Sequence, residues 1–364
     1  MKNLQWYTLC LFIFGISLFQ TSCSSSSEEE YIPVVISPVK VDLTTVPYEK
    51  LSNYKFFSGN LKNLTPAIGV IPYRPTSELF TDYAEKKRFV WMPSGTKASY
   101  TSDHSILNLP VGAVLIKNFY YNNVQPSNTS FIIETRIMIR KSNGWIFAEY
   151  VWNDEQTEAY LQTNSSQRLI SWKDEADIIK TVNYKIPSST TDCKRCHGNI
   201  NNSQVVPIGI KPQNLNSNFT YNNGVKNQLR KLIEVGYLNN NLPSSIESIV
   251  NYKDTSKPLE IRVRSYFDSN CAHCHINGGE ADQFDLRLAF NETTTLQSMG
   301  VGVQAEHQLP GYNGRIIYPG NYGQSILHYR INTETDNFYI MPPLGRSLKD
   351  EKATKLLEDW ISTL

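Results

Sequence analysis

Phe131-Ile-Ile-Glu-Thr-Arg-Ile-Met-Ile-Arg140 decides how the first half of the chain folds. Ile133, Thr135, Ile137 and Ile139 alternate with Glu134, Arg136, Met138 and Arg140. Successive side chains of a strand point to opposite faces, so the stretch predicts a strand with one apolar face. Asn143-Gly144 comes next, a dipeptide suited to a two-residue hairpin turn because both central positions need positive φ. Trp145 to Trp152 is then the returning strand. Upstream, Val111-Gly-Ala-Val-Leu-Ile-Lys-Asn-Phe-Tyr120 is rich in β-branched and aromatic residues and predicts another. Together they predict an antiparallel sheet with one face turned to a core. Asp154 to Leu161 and Trp172 to Ile179 read as short helices.

A chain of 364 residues has room for two domains and a leader. Lysine and arginine total 35 against 34 acids, so no bulk charge points to nucleic acid or a polyanionic substrate. Lys2 opens an N-terminal segment whose apolar run, Leu9 to Leu18, is too short to span a bilayer comfortably. Ser22-Cys23, Ser24 to Ser27 and Glu28 to Glu30 come after it. This segment resembles a bacterial lipoprotein signal, although Gln20 stands where such signals usually carry Leu. The resemblance implies a signal peptide over 1–22, lipidation of Cys23, and a lipid anchor in the bacterial cell envelope. The protein would then sit on the periplasmic side of the outer membrane or at the cell surface. Ordinary secretion or a retained anchor is the competing reading. Residues 23–47 carry Pro33, Pro38 and Pro47 without an apolar period and read as a flexible tether.

Two pentapeptides carry the chemistry: Cys193-Lys-Arg-Cys-His197 and Cys271-Ala-His-Cys-His275. A C-x-x-C-H unit reads as a c-type haem attachment site. On a helix, positions i, i+3 and i+4 share a face, so two thiols can reach two vinyl groups while the histidine meets iron. The other two of the six cysteines, Cys10 and Cys23, lie in the leader or at its end, so no pair remains for a structural disulfide. Zinc binding or thioredoxin-like chemistry is the rival reading. It is disfavoured because both units end directly in His. Met341-Pro-Pro offers a soft thioether on an extended loop, since a residue before Pro avoids helix. Opposite His275 it would complete the His/Met ligation of electron-transfer cytochromes. Met299 is the runner-up, and Met341 as an ordinary buried hydrophobe is the bland alternative.

Residues 201–257 read as a linker with one helix from about Val225 to Val235. Pro258 opens a second helix that ends at the Cys271 motif, with Val263, Phe267 and Cys271 on one face. A last helix starts at Ser347, with Asp350 as a capping-box variant and Ala353, Leu356, Leu357, Trp360 and Ile361 at helical spacing. This order resembles a small all-helical cytochrome c domain, placed at 258–364. Pro319-Gly-Asn-Tyr-Gly-Gln-Ser325-Ile-Leu, Met341-Pro-Pro-Leu-Gly345 and Leu357-Glu-Asp-Trp-Ile361 are similar to short cytochrome c domains of bacterial multidomain oxidoreductases. Leu79-Phe-Thr-Asp-Tyr83, Lys87-Arg-Phe-Val-Trp91, Leu109 to Lys117 and Tyr150-Val-Trp-Asn-Asp154 resemble a less characterised family of bacterial dihaem c-type cytochromes. The expected fold is therefore α+β and multidomain. An antiparallel β-rich domain over 48–200, ending in the first motif, is followed by an all-α cytochrome c-like domain.

His197 and His275 are the expected proximal ligands of two covalently attached haems. His104, Met138 and Met92 are candidates for the far side of the first. The alternative is an open iron: a sheet followed by C-x-x-C-H resembles the cytochrome c′-beta family and its hydroxylamine-oxidising relatives. In those enzymes a lysine modifies the haem, and Lys117 is the nearest equivalent. His273 reads as a surface residue, and His307 and His328 as ordinary surface or core histidines or as propionate partners. Three functions compete. The favoured one is electron transfer to redox partner proteins of the envelope. The second is a haem enzyme, peroxidase-like or acting on a small nitrogen compound, with the His275/Met341 haem as relay. The third is a β-domain binding module; against it, aromatic residues are core by default.

Overall fold

Alternating strands in the first half pair into one antiparallel sheet of eight strands. Six run in sequence order: β1 (Ile71–Tyr73), β2 (Glu85–Trp91), β3 (Val114–Val124), β4 (Thr129–Lys141), β5 (Gly144–Trp152) and β6 (Ala159–Gln162). A hairpin of β7 (Ser166–Lys173) and β8 (Ile179–Ile186) joins at the far end of β3, where Val124 meets Trp172. The register slips between Phe119 and Tyr120, where β4 carries one extra residue, Ile133. The structure is a computed structural model that describes residues 36–201 and 203–364, and Ser37–Leu364 form one unit. The leader, Cys10, Cys23 and most of the tether lie outside the described residues. Among the described residues no helix is long and apolar enough to cross a membrane.

The β3–β5 strands occur where expected, but the two short helices predicted nearby do not. Residues 159–162 form β6, and 166–173 and 179–186 form the hairpin. In β7, Ile170 and Trp172 are buried while Gln167 and Leu169 are exposed, a period of two that a helix cannot satisfy. Nor does the sheet have one buried face. Phe89, Ile116, Ile137 and Ala148 pack one side with Tyr54, Phe56 and Trp152. Val90, Leu115 and Met138 pack the other with Ile210, Leu229 and Leu232. The face carrying Glu134, Arg136 and Met138 is covered at the Glu134 end by Tyr184 of β8 and at the Met138 end by chain that comes after the first motif.

Among the described residues helix is sparse and short: α1 (Asp192–His197), α2 (Pro212–Leu215), α3 (Gln228–Glu234), α4 (Leu259–Asn270), α5 (Ile326–Asn332) and α6 (Glu351–Ile361). The expected all-α C-terminal domain is not present. Residues 271–325 hold turns, one short 3₁₀ segment at Tyr322–Gln324 and isolated bridges such as Val301 to Ile317. Gly300 shows why: its φ is +92°, and an added Cβ would fall 2.9 Å from the Ile316 side chain. α4 and α6 do pack together over Phe267, Leu288, Met299, Leu356, Leu357 and Trp360. Each such apolar side chain contributes about 1.5–3 kcal/mol on burial. α6 begins at Glu351 rather than Ser347, because the Asp350 carboxylate accepts from the Ala353 N–H at 3.0 Å and is itself the cap.

Candidate functional site

α1 presents Cys193, Cys196 and His197 to a cavity of about 680 Å³ between the helix and the sheet. Their i, i+3, i+4 spacing turns all three the same way. His197 Nδ1 lies 2.8 Å from the Val206 carbonyl. That bond fixes the proton on Nδ1 and leaves the Nε2 lone pair free, the arrangement found behind metal-ligating histidines. Burial lowers its pKa to about 4, against the pull of the Val206 bond, so the ring is neutral at pH 7. The Phe147 ring meets it edge-on at 5.0 Å.

Register builds the opposite wall. Arg88 pairs with Lys117, Lys117 with Arg136, and Arg136 with Glu149, so four charged residues cross four strands in one row. One pleat along, Val90, Leu115, Met138 and Phe147 form an apolar row on the same face. All four charged residues, with Leu115, Met138 and Phe147, line the cavity. Arg88 is paired with Glu78 at 3.0 Å and Arg136 with Glu134 at 2.6 Å. Tyr184 also donates to Glu134, at 2.6 Å. Burial alone would raise the Glu134 pKa, but Arg136 and these hydrogen bonds bring it below its ordinary value. Glu149 goes the other way: burial first, then the Glu134 charge and a hydrogen bond to that carboxylate, push its pKa well up, so the two acids share one proton. Burial, Arg88 and Arg136 push the Lys117 pKa far down.

The second motif comes directly after α4. Cys271 caps that helix through its N–H to the Phe267 carbonyl and packs against the α4–α6 core. Burial lowers the His275 pKa to about 4 as well. Met341 donates its N–H to the Arg330 carbonyl at 2.9 Å and lines a small cleft with Phe80, Tyr266, Asn270 and Arg346. His275 is not among the walls of that cleft, so the structure does not gather the expected ligand pair round one cavity.

The two motifs lie side by side. The ligating atoms of Cys196, His273 and Cys274 all fall within 4.8 Å of one another. Hydrogen bonding from Cys274, and then from His273, favours the Cys196 thiolate, while Cys274 correspondingly holds its proton. The flanking loops are tied as well: the Ile200 N–H reaches the Gly278 carbonyl at 2.8 Å, and Arg195 meets Glu280 at 2.7 Å.

Of the distal candidates for the first site, Met138 lines the cavity with His197. His104 instead bonds Gln213 at 2.6 Å and pairs with Glu247 at 3.3 Å. Met92 is buried in the core and lines no part of the cavity. Met299 is core too, His328 bonds Glu358 at 2.9 Å, and exposed His307 meets the Phe284 ring edge-on. His273, read as a surface residue, lines the cavity. Glu149 and Arg88 were missed. The signal for Glu149 was a lone carboxylate inside the apolar run Trp145 to Trp152, though nothing local marks the acid it pairs with. No family model, curated protein or solved structure matches the chain.

Proposed function

We propose that the chain is a dihaem c-type cytochrome carrying electrons in the bacterial cell envelope, anchored there through a lipid on Cys23. The observation that supports this best is the meeting of the two pentapeptides at Cys196 and Cys274. Two attachment sulfurs so close would set two redox groups edge to edge, as an electron carrier needs. Cys193, Cys196 and His197 would hold the first haem, with the cavity as its seat. Cys271, Cys274 and His275 would hold the second, with Met341 as its further ligand. Bound haem would supply a one-electron iron couple. The chain's own share is to keep both imidazoles neutral, fix His197 through Val206, and offer Arg88 and Arg136 to anionic groups in the cavity. The donor set suits haem better than a resident zinc. An ion on Cys196, His273 and Cys274 would take one thiol from each motif and strand Cys193, His197, Cys271 and His275.

One observation favours a second reading, an enzyme with an open first haem. Glu149 is buried and keeps its proton against the Glu134 carboxylate, beside Arg136 and Lys117 in the same cavity. Such a carboxylic acid, neutral at pH 7, can donate a hydrogen bond to a small bound molecule. The test uses protein made with c-type maturation. The intact mass is expected to show two haem additions; bound zinc without haem would overturn both readings. EPR of the ferric protein then separates them. Two low-spin centres unmoved by cyanide or nitric oxide support the carrier, and one high-spin centre that binds them supports the enzyme.

A further inference from the structure

The joint between the two pentapeptides is fastened on both sides. Cys274 is presented by a turn in which its own N–H and that of His275 reach the Cys271 carbonyl at 3.1 and 3.0 Å. The Cys274 carbonyl accepts the Ala281 N–H at 3.1 Å, which ties it to the loop carrying Gly278 and Glu280. That loop in turn grips the first motif. The Ile200 N–H meets the Gly278 carbonyl at 2.8 Å, and Arg195 pairs with Glu280 at 2.7 Å. Gly278 has φ of +76°, and an added Cβ would fall 2.6 Å from the Asn199 side chain, so the close approach requires glycine. Backbone bonds and close contact thus hold Cys196 opposite His273 and Cys274.

We propose that Cys196, His273 and Cys274 form a zinc(II) site in the chain before haem is attached. Their ligand atoms all lie within 4.8 Å of one another. Tetrahedral zinc, with Zn–S of about 2.3 Å and Zn–N of about 2.0 Å, sets such ligands about 3.5–3.8 Å apart, so side-chain rotation closes the set. All three side chains are half-buried, and Cys196 and His273 line the cavity, which leaves a fourth position for water. Two thiolates and an imidazole are donors that suit zinc and not magnesium or calcium. As zinc binds, each thiol still protonated gives its proton to solvent, and no electron moves.

In the mature chain the same sulfurs are thioethers, so the ion precedes haem and does not compete with it as a resident. It would keep two of four neighbouring thiols from pairing as disulfides in an oxidising compartment until haem takes them. That role rests on the haem reading, whereas the site itself rests on geometry alone.

The experiment uses the reduced full chain made without c-type maturation, titrated with zinc(II) against a chromophoric chelator. One zinc per chain is expected. Iodoacetamide labelling, mapped cysteine by cysteine by mass spectrometry with and without zinc, then identifies the ligands in the unaltered chain. Zinc should slow the labelling of Cys196 and Cys274 at least about tenfold and leave Cys193 and Cys271 at their zinc-free rates. His273→Ala should weaken zinc binding by a similar factor. Gly278→Ala removes no ligand and should weaken it less, by forcing the motifs apart. Two zinc ions per chain, or protection of both cysteines of one motif, would place the metal within each pentapeptide and overturn the proposal. Absence of zinc uptake would overturn it as well. The chain made with maturation tests the haem reading separately: it should carry two haems and take up no zinc at this site. Zinc without haem in that preparation would sink the haem reading and leave the site standing.

Discussion

The two halves of the molecule hold the same pentapeptide by different means. Cys193 to His197 sits on a six-residue helix laid over a sheet whose strands are joined residue by residue, from Arg88 through Lys117 and Arg136 to Glu149. Its surroundings are fixed by backbone pairing over long strands. Cys271 to His275 hangs from the end of α4 and runs into turns and isolated bridges, fastened by side chains such as Asn270, Asp82 and Arg346. Ladders hold a site cooperatively, whereas scattered side-chain bonds can be lost one at a time. The first site should resist single changes outside its floor, and the second should register them.

The largest effect comes from the motifs themselves. Cys193→Ala with Cys196→Ala should leave one attached haem per chain by intact mass, and so should Cys271→Ala with Cys274→Ala. The two variants should differ in the protein around the lost group. Loss of the second haem should open residues 271–325 to limited proteolysis, while loss of the first leaves 114–152 protected in hydrogen exchange. Equal protection in both variants would erase the distinction between the two sites. Next is Glu134→Ala, which strands Arg136 against the cavity wall. Breaking a buried pair this way costs about 3–5 kcal/mol, measurable by urea unfolding.

A subtler change is Glu149→Gln. The folded chain holds the Glu149 proton more tightly than the unfolded chain, whose carboxyl titrates near about 4.3. Stability from this group is therefore complete below that pH and is lost as pH rises towards the folded value. The Gln variant should be less pH-dependent, gaining on wild type at pH 8 and not at pH 4. Unfolding curves that run parallel at the two pH values would mean Glu149 is not buried as an acid. The smallest effect is Asn227→Ala. Its side chain caps α3 by accepting from the N–H groups of Leu229 and Arg230, and its loss should cost about 1 kcal/mol without touching either haem.

The hairpin of β4 and β5 was legible because alternation and a turn signal are both local. The turn falls one residue earlier than expected: Lys141 pairs with Gly144, so Ser142-Asn143 form the loop and, of these residues, only Gly144 has positive φ. The β7–β8 hairpin was not legible. Trp172 to Ile179 spans the Asp174–Asp177 turn, so a window across it mixes two strands and imitates a helix. The C-terminal region misled for another reason. Leu356, Leu357 and Trp360 do mark a helix, but one amphipathic helix and a motif do not oblige the intervening chain to be helical. Both pentapeptides were visible from spacing alone, whereas their meeting at Cys196 and Cys274 depends on long-range packing. Glu149 was hidden for the same reason. Its neighbours in space, Glu134 and Arg136, come from another strand, and sequence order does not show that the three are packed together.

The bonds from Asp82 and Asn270 also bear on how such a chain can be inherited. A break near residue 257 looks like a convenient seam, since a motif, a methionine loop and a closing helix all lie beyond it. Yet the backbone that steadies this later piece is contributed by residues 78 to 83. A recombination event at the seam would deliver the motif without its brace. A seam there would divide one folded unit rather than join two.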